Sequence, residues 1–398
     1  MAEELRKEII EPEVEKEIDE TTKTEIKIPD ELKYNSYNYI KNHYESLYPC
    51  IGERIMSILS LVPVSLIIPK YIISGREIRS HLNLLWMSPP GFAKSQLAKQ
   101  FSNITFNPIM SKNMTTPRLY YEFKKKGGEK ITLIVEDIAI WFMDEEKIKF
   151  LEGASGEEES YSREHMRNIK DGLEKHVDVV CFCSGTPENL TNRRLKEGIL
   201  RRFSPIIITL TKEEHKKILN YQSNGLGMKG NQNDGEEIRN FYLELQKIQN
   251  NENKEINPII DYIFPDAIKT EAIRFFEPLG EKLHENYGVN TATEHEEFFR
   301  FMVCSAFLRI FEKKKFGLIQ DNHLIIDKTD LDLAKKLIKD EIQTKHFIYY
   351  SIDKIDADGV NTRKRLKEWS KKRKKSGLKE LPEEVKFLLK SNVIKEKK

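Results

Sequence analysis

Lys94 and Ser95 stand where an apolar run gives way to a helix. Leu84-Leu85-Trp86-Met87 leads through Ser88-Pro89-Pro90-Gly91-Phe92-Ala93 into Lys94-Ser95-Gln96-Leu97. A strand, a tight turn and a helix opened by Lys-Ser is the arrangement a nucleoside triphosphate needs. Backbone N–H groups of the turn and of the helix N-terminus can surround phosphates, Lys94 can reach the β and γ oxygens, and the Ser95 hydroxyl can ligate Mg²⁺. The residues this chemistry places around ATP are Ser88, Pro90, Gly91, Phe92, Ala93, Lys94, Ser95 and Gln96. The usual spacing G-x-x-x-x-G-K-[ST] is departed from twice, with Ser88 in the first glycine position and Ala93 in the second. The alternative is an ordinary loop followed by a lysine with a buried stem.

Hydrolysis asks for more than a phosphate loop: an acid to hold Mg²⁺, a group to orient water, and positive charge for the transition state. Ile131–Val135 is a continuous apolar run followed by Glu136-Asp137, so both carboxylates fall at a strand's C-terminal end. Open α/β sheets bind their ligands at that end. By position Glu136 serves the metal together with Ser95, and Asp137 the water, with the reverse assignment left open. A strand end that is merely acidic is the plainer alternative. After the next strand, Ser184-Gly185-Thr186-Pro187 offers a polar side chain to align water, Thr186 first and Ser184 second. Leu200-Arg201-Arg202-Phe203 precedes the strand after that. An arginine there can reach a neighbouring subunit's γ-phosphate; alone, the pair would be an ordinary surface feature.

The elements that must position these groups are strands and helices in alternation. Leu82–Met87, Ile131–Val135, Val177–Cys183 and Pro205–Leu210 read as buried strands. Helices are expected from Ser95, over Thr116–Lys126 and over Arg163–His176. Continuous apolar runs separated by helices predict a parallel sheet covered on both faces, a doubly wound α/β core. Tyr44–Ile73 reads as apolar helix. From Lys212 the periodicity turns helical (Glu236–Gln249, Pro265–Tyr287, Glu294–Lys315, Asp330–Ile348), which predicts an all-α second unit. The division is therefore a charged, disordered arm over 1–33, a core over 34–211, a helical lid over 212–348 and a third unit over 349–398.

The net charge of +2 hides an uneven distribution. The first thirty residues are predominantly acidic, whereas Arg363-Lys364-Arg365 and Lys371-Lys372-Arg373-Lys374-Lys375 make the C-terminal unit strongly basic, which suits nucleic acid or else a solvated helix face. Cys50, Cys181, Cys183 and Cys304 show neither a disulfide framework nor metal-ligand spacing. The nine histidines form no metal motif, and Glu157-Glu158-Glu159 reads as a solvated insertion. Pro63 and Pro69 interrupt the apolar stretch Ile58–Ile73, which is too short to span a bilayer. With no signal-peptide pattern after Met1-Ala2-Glu3-Glu4, the expectation is a soluble, cytoplasmic protein without membrane partners.

Pro90-Gly91-Phe92-Ala93-Lys94-Ser95-Gln96-Leu97 resembles the loop G-D-P-G-x-A-K-S-Q-L of the AAA+ module in minichromosome maintenance (MCM) replicative helicases. The resemblance extends upstream through Ile78–Leu85 and Ser46–Gly52. Downstream, Gly185-Thr186-Pro187 falls on the family's sensor Asn-Pro, and Leu200–Phe203 on its Leu-Ser-Arg-Phe finger. It implies an AAA+ P-loop core with a parallel sheet, a helical lid and a C-terminal winged helix. It further implies Arg202 as the finger, Arg300 in Glu297–Phe301 as a second sensor, ATP with Mg²⁺, and a homo-oligomeric ring, a hexamer, on DNA. Outside the resemblance, Arg300 reads as a helix-surface charge. The C-terminal unit (Leu366–Lys375, Gly377, Leu381–Leu389, Val393-Ile394) resembles the winged helix, with non-specific DNA contact or protein contact as its alternatives.

Three features depart from the family. Residues 1–45 cannot fold into the large N-terminal DNA-ringing domain, there is no room for hairpins before the acidic strand (Tyr120 to Ile131) or the sensor strand (Glu174 to Val179), and the usual Asp-Glu order is inverted in Glu136-Asp137. The expectation is an ATP-hydrolysing ring motor acting on DNA in replication of a cell, mobile element or virus, with a replication protein as possible partner. A protein-remodelling or loader ATPase, and a non-hydrolysing nucleotide-binding scaffold, are the alternatives.

Overall fold

The computed structural model describes residues 28–48, 52–68, 70–73, 76–78, 80–88, 94–111, 114–126, 130–155, 179–186, 199–207, 213, 216, 219, 220, 223, 232–287 and 291–358. The expected arm before residue 28, the acidic run 157–159, the helix at 163–176 and the winged helix expected within 359–398 lie outside the described residues.

α1 (Asp30–Tyr34) and α2 (Ser36–Leu47) precede the central helix α3 (Glu53–Ser65). Helical structure thus begins inside the segment expected to be an arm, because Leu32 has a core to enter and is fully buried. In α3 every residue after Glu53 is buried, as its near-continuous apolar sequence demands. The apolar stretch expected to be one helix ends there. Beyond it, β1 (Tyr71–Ile73) and β2 (Arg76–Ile78) pair antiparallel.

β3 (Leu84–Met87), β5 (Ile131–Val135), β6 (Val179–Gly185) and β7 (Ser204–Ile207) contain no charged residue and are buried at every position. With β4 (Pro108–Ser111) they form a five-stranded, all-parallel sheet in the order β4-β5-β6-β3-β7. Proline agrees with that order: Pro108 opens β4 and Pro205 lies in β7, the two outer strands, where a missing N–H is tolerated. Side chains alternate between two cores, as a period of two requires. Leu84, Trp86, Ile134, Val180, Phe182 and Ile206 enter one. Leu85, Met87, Leu133, Val135, Cys181 and Cys183 enter the other. The first face is covered by α3 and by α4 (Lys94–Ile104), whose Leu97, Ala98, Phe101 and Ile104 form one buried stripe. Phe101 and Trp86 both meet the Phe182 ring, at 5.5 and 6.0 Å between centroids. The second face is covered by α5 (Thr116–Lys125), α6 (Ile138–Phe142) and α7 (Glu145–Ala154).

The C-terminal part is not all helical. α8 (Gln232–Gln249), α9 (Asp266–Tyr287), α10 (Ala292–Leu308), α11 (Ile310–Lys315) and α12 (Lys328–Asp358) enclose a small sheet of β8 (Asp261–Ile263), β9 (Ile319–Gln320) and β10 (His323–Ile325), in the order β8-β10-β9. Asp321 and Asn322 both have positive φ, 47° and 64°, the requirement of a two-residue hairpin turn between β9 and β10. Arg309 and Lys313 meet Asp327 and Asp330 in a buried charge cluster that ties α11 to the start of α12.

Most of the buried residues of these helices share the first core with the sheet. α12 begins in that core with Leu331, Ala334, Leu337, Ile338 and Ile342. It passes β7 and reaches the second core through Phe347, Ile348 and Tyr349, so the boundary expected after residue 348 falls inside one helix. Among the described residues no helix is long and apolar enough to cross a membrane.

Candidate active site

Because all five strands are parallel, their carboxyl ends share one edge of the sheet. That edge collects Ser88 after β3, Ser111 at the end of β4, Glu136-Asp137 after β5 and Thr186 after β6. The register makes the alignment concrete. Met87 pairs with Gly185, and Val135 pairs with both Ser111 and Cys183. Lys94 and Ser95 open α4, which follows β3, and are therefore led from the same edge. Six of the expected site residues (Ser88, Lys94, Ser95, Glu136, Asp137 and Thr186) are brought together in this way. Pro90, Gly91, Phe92 and Ala93 lie outside the described residues.

Lys94 is half-buried, and its Nζ donates to the Ser88 carbonyl at 2.5 Å, which holds the ammonium at the carboxyl end of β3. Ser95 and Gln96 are exposed on the first turn of α4. That eleven-residue helix begins at Lys94. Its first-turn amides have no partner within the helix, which suits them to an anion. Ser88 is fully buried, its amide donates to Gly185 O at 3.2 Å, and its hydroxyl finds no hydrogen-bond partner among the described residues.

Glu136 is pinned through its backbone on both sides. Its amide donates to Ser111 O at 3.3 Å, and its carbonyl accepts from Ser184 Oγ at 2.6 Å. The half-buried carboxylate therefore hangs from a fixed point. Ser184, the second candidate for water alignment, is buried and spends its hydroxyl on this bond; Thr186 is half-buried one residue past β6. Asp137 is the N-cap of α6, its Oδ1 accepting from Ala139 N at 3.0 Å, which turns the chain back under the sheet. The exposed Ser95 hydroxyl and the half-buried Glu136 carboxylate are hard oxygen donors, the chemistry Mg²⁺ takes alongside phosphate, while no group of three or more His, Cys, Asp or Glu side chains among the described residues could hold a metal ion. Burial pushes the Cys181 and Cys183 thiols up, so both remain protonated core residues.

The arginines lie elsewhere. Arg201 and Arg202 precede β7, and Ser204 pairs with Leu84, so they stand at the amino edge of the sheet. β3 separates that edge from Ser88 by about 13 Å of strand. Arg201 is exposed and Arg202 half-buried. Arg300 is only 5% exposed, bonded to Glu297 at 2.9 Å and ion-paired with Glu296 at 3.7 Å. Ser204 Oγ lies 2.8 Å from Glu297 Oε1 and 2.6 Å from Glu341 Oε2, so this cluster too belongs to the amino edge. Lys345 completes it, paired with Glu341 and Glu294. Burial opposes its charge, yet those two carboxylates hold its pKa above the usual lysine range.

Asn83 had no assigned role in the sequence. A polar side chain buried in the apolar lead-in His81-Leu82-Asn83-Leu84 must find partners, and that is the signal that marks it. Its Oδ1 accepts from Cys181 N at 2.8 Å, and its Nδ2 donates to Arg202 O at 3.1 Å.

No family model matches the chain, and no curated protein is significantly similar to it in sequence.

Proposed function

We propose that the chain is an ATPase of the AAA+ type, a ring-forming motor that resembles the MCM helicases and acts on DNA in replication. The observation that carries this is the division of labour between the two sheet edges. Lys94, Ser95, Glu136, Asp137 and Thr186 gather at one, and Arg202 stands at the other. Across the length of β3 a chain's own Arg202 does not reach its own Lys94, which suits a finger lent by a neighbouring protomer.

In this scheme Lys94 exchanges the Ser88 carbonyl for phosphate oxygens, and the amides opening α4 bind their charge. Ser95 and Glu136 would hold Mg²⁺, which would neutralise negative charge on the phosphates. Asp137 orients the attacking water and Thr186 aligns it, while Arg202 of the adjoining protomer meets charge developing in the transition state. The basic C-terminal residues would supply salt-sensitive, sequence-independent contact with DNA.

Steady-state ATP turnover with and without single-stranded or duplex DNA tests the proposal. Lys94→Ala and Arg202→Ala are each expected to lower turnover by roughly 10³-fold or more, with DNA stimulation of the wild type declining as salt rises. Wild-type protein without ATPase activity would favour the second reading, a nucleotide-binding scaffold. The engagement of Asp137 Oδ1 as a helix cap is the observation on that side. ATPase activity indifferent to DNA would point instead to a protein substrate.

A further inference from the structure

Arg202 precedes β7 on a short turn, its amide donating to Ile199 O at 2.9 Å. A finger on such a turn needs fixing from outside, since a misplacement of about 1 Å can cost 10²-fold in rate. Asn83 grips the turn from two directions. Its Nδ2 donates to Arg202 O at 3.1 Å, and its own carbonyl accepts Ser204 N at 2.8 Å, bracketing Phe203. The same side chain is anchored to β6 through Cys181 N at 2.8 Å and reaches Ser155 O, at the end of α7, at 3.4 Å. Just beyond the bracket, the Ser204 hydroxyl lies between Glu297 of α10 and Glu341 of α12. Asn83 is 3% exposed and Ser204 fully buried, so water does not compete for these bonds.

We propose that Asn83 is a positioning residue for Arg202, with Ser204 as its second anchor, and that the pair fixes the finger one protomer presents to the next. The inference rests on the trans-acting finger of the proposed function. It adds a mechanical consequence. Asn83 immediately precedes β3, whose other end leads into the phosphate loop, so one strand joins a protomer's own nucleotide site to the finger it offers its neighbour.

Mixing full-length variants tests it. Lys94→Ala protomers lack an ATP site and keep a sound finger, whereas Arg202→Ala protomers keep the site and lack the finger. Asn83→Ala alone is expected to lower kcat by roughly 10- to 100-fold with KM for ATP nearly unchanged. Mixed with Lys94→Ala it should regain activity as the Arg202→Ala and Lys94→Ala mixture does, and mixed with Arg202→Ala it should regain none. If only the reference mixture recovers, Asn83 acts on its own ATP site and the positioning role is overturned. If the reference mixture also fails, the trans finger itself is wrong and the inference falls with it. Should Asn83→Ala not fold, Ser204→Ala, with Ser204→Thr as the hydroxyl-restoring control, takes the same mixtures with the same expected and contrary results.

Discussion

Asp137 Oδ1 accepts the Ala139 amide while its carboxylate stands at the edge where water would be oriented, and asparagine separates these two tasks. Asparagine caps helices as well as aspartate does, whereas alanine forfeits about 1 kcal/mol. Asp137→Asn should therefore melt like the wild type and bind ATP, yet turn over at least ~10²-fold more slowly. Wild-type kcat in that variant would remove Asp137 from the chemistry and move the water to Glu136. At this scale the sequence was informative where placement is local: Lys94-Ser95 at a helix start and Glu136-Asp137 after a strand are positioned by a few neighbouring residues. Arg300 and Asn83 were not legible in that way. The first reads as a surface charge until it is seen buried and paired with Glu296 and Glu297, and the second gains its role only from partners in β6 and before β7.

Among the elements, α10 and α12 are joined to β7 by charge as well as by packing. Burial, and next the nearby Glu341 carboxylate, push the Glu297 carboxyl up to about 7, against the opposing pull of Arg300, Lys345 and the Ser204 hydroxyl. A carboxyl with a raised native pKa binds its proton more tightly folded than unfolded. Its stabilising contribution is thus complete below the unfolded value of 4.5 and is lost as pH rises through about 7. Glu297→Gln lacks this titration. Between about pH 5 and about pH 8, urea unfolding should show the variant gaining on the wild type by on the order of 2 kcal/mol. A difference that stays constant with pH contradicts the protonated Glu297. The buried strands β3, β5, β6 and β7, which lie in continuous apolar runs, and most helices were readable from sequence. β4, β8, β9 and β10 were not, since their few residues are interrupted or flanked by polar ones and form no apolar run. The Asp321-Asn322 turn, lacking glycine, hid the β9–β10 hairpin.

For the whole molecule, the parallel α/β core was legible because both faces of the sheet are covered and its strands are apolar throughout. Strand order was not, because only tertiary packing decides that β6 lies between β3 and β5. Parallel direction is what gathers Lys94, Ser95, Glu136 and Asp137 on one edge and leaves Arg202 at the other, while the order sets β6 and β7 on either side of β3. A division into core and lid was suggested by the change of period near Lys212, yet one hydrophobic core spans both parts and α12 runs along β7 from one face to the other. Movement of α10 and α12 would therefore be felt at the start of β7, beside Arg202. The most direct measurement of the central claim is ATP turnover by an equal mixture of Lys94→Ala and Arg202→Ala proteins, each inactive alone. A shared site predicts activity in the mixture, because the first variant lends its Arg202 to the second variant's nucleotide. A mixture as inactive as its folded, associated components would contradict it.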